Sequence, residues 1–170
     1  MSLLQWLQDS AFGQFIESST WANLALLCCH ALGMSVLVGV LWMLDLRVLG
    51  FPNGLPLSSF RPLLRLAWIG FLLNAASGLL MFSGASTRFI VNADFQLKML
   101  LIVLGALSVL ALRRALGEAW PTAGSVQAVA REDLRFSAGA RLIAAASFLF
   151  WLGVILFGRQ IAYTLARPAA

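Results

Sequence analysis

Charge is what this chain has least of. Only 11% of its 170 residues are Asp, Glu, Lys or Arg, against 61% hydrophobic. A soluble domain carries about 25% charged residues, because water-facing surface needs them. So small a charged fraction excludes a water-solvated sphere of this size, and lipid must cover much of the outside. The two cysteines, Cys28 and Cys29, are adjacent. Neighbouring side chains on a helix point about 100° apart, which argues against a structural disulfide between them, and two cysteines make no disulfide scaffold. The first residues, Met1 to Leu7, lack a basic n-region and a cleavage site, so no removable signal peptide is expected and the first span serves as the insertion signal.

The missing motifs exclude further classes. The net charge is +5, but no basic run carries interleaved aromatics, and a nucleic-acid partner is not expected. No paired catalytic carboxylates, phosphate-cradling glycine loop or Ser-His-Asp set occurs, so no catalytic residues are assigned. Acids are almost missing from the apolar runs, which argues against a proton-coupled transporter.

Four long apolar runs are there instead, at about 21–44, 63–83, 95–112 and 138–156, the last extending as far as Tyr163. Each approaches the roughly 20 residues that cross a 30 Å hydrocarbon core. Lipid offers no partner to a bare N–H, so each run must be helical; continuous apolarity rules against an alternating β-barrel. Residues 1–19 alternate Leu3, Leu4, Leu7 and Phe12 with Gln5, Asp9, Gln14 and Glu17, the pattern of a short interfacial helix. Ser18, Ser19 and Thr20 offer caps for the first span. Asp45 and Arg47 are expected to close that span and pair with neighbours. The loop through Gly50, Pro52, Asn53, Gly54 and Pro56 is rich in turn formers. A polar linker with Pro121, Gly124 and Arg131-Glu132-Asp133 precedes the fourth span.

The expected fold is a single all-α membrane domain, an antiparallel four-helix bundle with a short N-terminal interfacial helix. Basic residues orient it: Arg47, Arg61, Arg65, Arg113, Arg114, Arg131, Arg135 and Arg141 lie on one side, and Arg88, Lys98, Arg159 and Arg167 on the other. That asymmetry places both termini in the periplasm of a bacterial inner membrane. Trp6 suits the surface helix, and Trp21, Trp42, Trp68 and Trp120 suit interface anchors. Lys98 is expected to snorkel outward. Close packing in lipid needs small residues. The candidate inward stripes are Gly70, Asn74, Ser77, Gly78 and Met81; Ala140, Ala144, Ser147 and Trp151; Gly105 and Ser108; and Ser35 and Gly39.

His30, the sole histidine, falls about 14 Å into the first span at 1.5 Å per residue. A polar group at that depth is a functional hypothesis by default. Three readings stand. His30 is a neutral structural group bonded to Asn74, a serine or a carbonyl. Alternatively it ligates haem b, with Met34, Met81 or another subunit opposite, or serves a quinone. Alternatively it joins Cys28, Cys29 and Met34 in a soft copper site. His30, Met34, Asn74 and Arg159 are thus the candidate cofactor-binding residues, with His30 the candidate metal ligand. Arg159, beside Gln160 and Tyr163, would anchor at the interface, pair with Asp94 or hold an anionic group such as a haem propionate.

Three stretches carry a resemblance: His30-Ala-Leu-Gly through Leu44-Asp-Leu-Arg-Val-Leu-Gly50, Phe95-Gln-Leu-Lys-Met, and Trp151-Leu-Gly through Gly158-Arg-Gln-Ile-Ala-Tyr163. They resemble a bacterial family of small four-helix integral membrane proteins of unassigned function. More remotely, the layout is similar to the copper-resistance protein D and four-helix haem-b cytochrome group, which would mark His30 as a haem or copper ligand. The third span departs from that group, ending in Arg113-Arg114 where a second histidine would be sought. The expected function is a non-catalytic membrane subunit or scaffold within a redox assembly. Its partners would be other membrane or periplasmic subunits or a second copy of the chain. A haem-b or quinone electron carrier and a copper-handling protein are the alternatives.

Overall fold

Short polar residues set where each helix begins. Ser2 and Gln5 form a reciprocal capping box on α1 (Leu3–Asp9), and Ser10 caps α2 (Ala11–Ser18) through the Gly13 N–H. Ser19 caps α3 (Thr20–Leu49) and Asn92 caps α6 (Ala93–Leu116). The Ser137 hydroxyl accepts from the Ala140 N–H at the start of α7 (Ala138–Leu165). A 3-10 turn, Leu57–Ser59, leads into α4 (Phe60–Gly84), and the short α5 (Ser86–Val91) links α4 to α6. This computed structural model describes residues 2–51, 55–117, 120 and 136–165, and every element among them is helical. Pro52, Asn53, Gly54, Pro121, Gly124, Arg131, Glu132, Asp133, Arg135 and Arg167 lie outside the described residues.

Four helices are long and apolar enough to cross a membrane: Thr20–Leu49, Leu57–Gly84, Ala93–Leu116 and Ala138–Leu165. Each outruns its sequence estimate. Asp45 and Arg47 do not close α3, which continues to Leu49. Its end is set by Gly50, whose φ of 110° takes the left-handed cap that a side chain would resist. The N-terminal segment is two helices and not one, because the Ser10 hydroxyl takes over as a cap and breaks the run.

The helix α3 packs along α4, α6 along α7, and α3 also meets α7. Glycine sets the closest approach. A Cβ on Gly33 would stand 2.6 Å from the Asn74 backbone nitrogen and 2.7 Å from the Gly70 carbonyl oxygen. Gly33 therefore makes the α3–α4 contact, in place of the expected Ser35, which is exposed, and Gly39, which has open space around it. The stripes Gly70-Asn74-Ser77, Gly105-Ser108 and Ala140-Ala144-Ser147-Trp151 are buried. One apolar cluster gathers Leu44, Val48, Phe60, Leu112 and Ala144. A second, next along α3, gathers Leu37, Val38, Leu41, Trp151 and Val154. Large apolar side chains such as Leu32, Ile69, Leu79 and Leu149 point outward.

Two tryptophans depart from the anchoring role. Trp42 turns to α7, where it stacks on Phe148 at 4.6 Å and donates to the Phe148 carbonyl. Trp120 is buried in the first cluster. Trp6, Trp21 and Trp68 are exposed. The N-terminal helices are tied down by α5: Ser86 donates to the Leu4 carbonyl, the Thr87 hydroxyl and N–H donate to Gln8, and Arg88 pairs with Glu17.

Candidate functional site

His30 is the tenth residue after Thr20 on α3, close to where Gly33 brings α3 against α4, with Asn74 opposite. The two residues exchange bonds across the helices. His30 Nδ1 donates to the Asn74 carbonyl at 2.9 Å, and Asn74 Nδ2 donates to the His30 carbonyl at 2.8 Å. Ser77 Oγ donates to the Leu73 carbonyl and lies 3.3 Å from His30 Nδ1. A carbonyl can only accept, so this network puts the imidazole proton on Nδ1 and leaves Nε2 as an acceptor.

Nε2 is occupied from a third helix. Lys98 Nζ donates to it at 3.3 Å. Lys98 was expected to snorkel outward; it turns inward instead, because two glycines make room. A Cβ on Gly158 of α7 would meet the Lys98 Cε and Nζ at 3.4 Å, and a Cβ on Gly78 would meet the imidazole Cε1 at 3.0 Å. The ammonium is half-buried at an apolar interface with an imidazole as its hydrogen-bond partner.

The other candidates fall elsewhere. Met34 packs with the second apolar cluster. Cys28 is an exposed free thiol and Cys29 a half-buried one. Among the described residues no three His, Cys, Asp or Glu side chains gather in a metal-holding group. Arg159 lies next to Gly158 in the chain but turns out to Tyr163, donating to its hydroxyl at 3.2 Å and stacking over its ring. It makes no ion pair with Asp94; the ion pair among the described residues joins Arg88 and Glu17.

At a second polar place the expected pairing of Asp45 with its neighbours is not met among the described residues. Asp45 is 1% exposed on α3 and makes no ion pair among the described residues. Arg47 does not reach it: its Nε donates to the Leu55 carbonyl and its guanidinium lies over Phe136. Ser147 of α7, fully buried, stands beside the carboxyl without meeting hydrogen-bond geometry. The signal was available in one place: an acid late in an apolar run, followed by Leu46, Arg47, Val48 and Leu49 and then a glycine cap.

Comparison with protein-family models, with curated proteins and with solved structures gave no match to this chain. The site's geometry is therefore the basis for reading its function.

Proposed function

We propose that this chain is a multi-pass protein of the bacterial inner membrane, an antiparallel four-helix bundle with periplasmic termini, acting as a non-catalytic subunit for membrane or periplasmic partners. Lipid around the bundle accounts for the large apolar side chains on the outward faces of all four long helices. The excess of arginine around Asp45 and in the chain between α6 and α7 supports the orientation. One observation carries the non-catalytic reading: His30 and Asn74 spend their side chains on each other's backbone carbonyls across α3 and α4. Such interhelical bonds are worth about 0.6 kcal/mol each and fix helix register. The test is purification from native membranes in mild detergent with mass measurement by light scattering. One protein at fixed stoichiometry, recovered in independent preparations, or a defined homo-oligomer, is expected. A stable, monodisperse monomer rejects the subunit role.

A second reading, an electron carrier using haem b or a quinone at His30, draws on the imidazole tautomer. Ligating histidines commonly donate their other ring N–H to a carbonyl, as Nδ1 does to Asn74. The residues fit one axial bond and not two: Lys98 stands at Nε2, and Met34 lies in the apolar packing. An absorption spectrum of the purified protein decides it, since a Soret band lost in His30→Ala would replace the structural reading. Copper rests on residue types alone, and metal analysis after reconstitution under reducing conditions settles that option.

A further inference from the structure

We infer that the outward faces of α4 and α6 bind anionic phospholipid, with phosphate held at Arg65 and Arg114 and acyl chains laid along the apolar stripes that continue from them. On α4, Arg65, Trp68, Leu72 and Leu79 fall within about 60° of one another, at about 100° per residue, and all four are exposed. This stripe is turned away from Ala67, Gly70, Asn74 and Ser77, which face the bundle. On α6, Arg114, Leu110, Leu107 and Leu100 fall within about 80°, exposed and opposite to Gly105, Ser108 and Leu112. From arginine to last leucine each stripe is about 21 Å long at 1.5 Å per residue. A bilayer is about 40–45 Å thick with its headgroups, so each stripe has the depth of one leaflet. The two arginines lie at the same end, because Phe60 of α4 and Leu116 of α6 share one apolar cluster. On α4 the order is cation, aromatic ring, aliphatic side chain, which matches headgroup, interface and hydrocarbon.

Charge selects the lipid. Residues 45–65 and 113–141, which include both arginines, hold eight arginines against Asp45, Glu118, Glu132 and Asp133. They carry +4 of the chain's net +5, a surplus fixed by the sequence and independent of where any one side chain lies. Among the described residues, Arg65 and Arg114 carry no hydrogen bond, ion pair or ring contact. A zwitterionic headgroup brings its own cation to its phosphate and leaves the surplus standing. A phosphodiester without an amine, as in phosphatidylglycerol, brings a net negative charge, and a guanidinium matches phosphate with two parallel bonds. A soluble phosphate would satisfy the arginines alone. Only a lipid also covers the apolar stripes that continue from them for the depth of a leaflet.

The inference rests on the membrane reading, and its test is separable from it. The full chain in a neutral detergent is titrated with dioleoyl phosphatidylglycerol or with dioleoyl phosphatidylcholine, and the thermal unfolding midpoint is followed against lipid mole fraction. Phosphatidylglycerol should raise the midpoint saturably and at lower mole fraction than phosphatidylcholine, with the difference shrinking in high salt. Arg65→Gln and Arg114→Gln should each raise the half-saturating mole fraction of phosphatidylglycerol about fivefold, the equivalent of the roughly 1 kcal/mol that one arginine contributes at an anionic surface. The phosphatidylcholine titration should not move in either variant, and Arg65→Lys, which keeps the charge, should recover most of the preference. Equal responses to the two lipids overturn the inference, as do two glutamine variants with the wild-type preference. Glycerol phosphate as effective as the lipid assigns a soluble anion and overturns the lipid. Both side chains are exposed, so the variants should fold; if one does not, the wild-type titrations and the other variant decide. Solubility without detergent would overturn the membrane reading, whereas a detergent-dependent chain indifferent to lipid charge overturns this inference alone.

Discussion

Replacing Gly33 by alanine tests the packing on which the polar centre depends. The added Cβ would stand 2.6 Å from the Asn74 backbone nitrogen and 2.7 Å from the Gly70 carbonyl oxygen. Ordinary contact begins at about 3.5 Å, so α3 and α4 must part by about 0.9 Å. The His30–Asn74 bonds, at 2.9 and 2.8 Å, would then pass out of hydrogen-bond range. Overpacking of this kind costs about 1–3 kcal/mol. Two interhelical bonds add about 0.6 kcal/mol each, and alanine's better helix propensity returns about 1 kcal/mol. The net expectation is a loss of about 1–3 kcal/mol, by these same terms. Reversible unfolding in mixed detergent micelles measures it. Gly39→Ala is the internal control, since nothing lies within 4 Å of a Cβ there; it should leave stability unchanged or raise it. If Gly33→Ala is no worse than Gly39→Ala, the close approach does not exist and the placement of His30 against Asn74 falls with it.

The two halves of the clamp should differ. Asn74→Ala removes one side-chain donor while the Asn74 carbonyl still accepts from His30, so a loss of about 0.6 kcal/mol is expected. His30→Ala removes the Nδ1 bond, the acceptor for Lys98 and the ring against Gly78, and should cost at least twice as much in the same assay; equal losses would contradict the geometry. At the N-terminus, Gln8→Ala removes the acceptor for both Thr87 donors. Hydrogen exchange should quicken about tenfold across α1 and α2, for roughly 1.4 kcal/mol of lost local stability, with α3 to α7 unchanged. A change spread evenly over the chain would show that these short helices are not a separately tethered unit.

What could be read in the sequence follows the physics of each signal. Four runs of lipid-compatible length announce four long helices, because solvation by hydrocarbon is a property of composition. The stripes on α4 and α7 were legible because small and polar residues recur there at helical spacing amid bulky ones. The packing face of α3 was not. Its sequence is apolar on every side, so no amphipathic contrast points inward, and the choice of Gly33 over Gly39 is made by where α4 crosses. The end of α3 was misplaced for a related reason. Charged residues do not stop a helix, whereas a glycine able to take positive φ does. Lys98 was least legible. Its direction depends on Gly78 and Gly158, residues 20 and 60 positions away in the chain, and no local pattern encodes that.

The two polar centres cannot neutralise each other, and this is why Asp45 needs an explanation that Lys98 does not. His30 and Asp45 are fifteen residues apart on α3, about 22 Å at 1.5 Å per residue. Leu37, Val38 and Leu41 are packed between them. At an effective dielectric of about 20, charges that far apart interact by only about 0.8 kcal/mol. Each centre must therefore be balanced where it stands. Lys98 is half-buried and has an imidazole nitrogen to donate to. Asp45 has no such outlet: its carboxyl is sealed, its nearest hydroxyl is unbonded, and the arginine two residues on is held by other groups. Among the described residues, the unpartnered buried group therefore lies on the Asp45 side of the molecule.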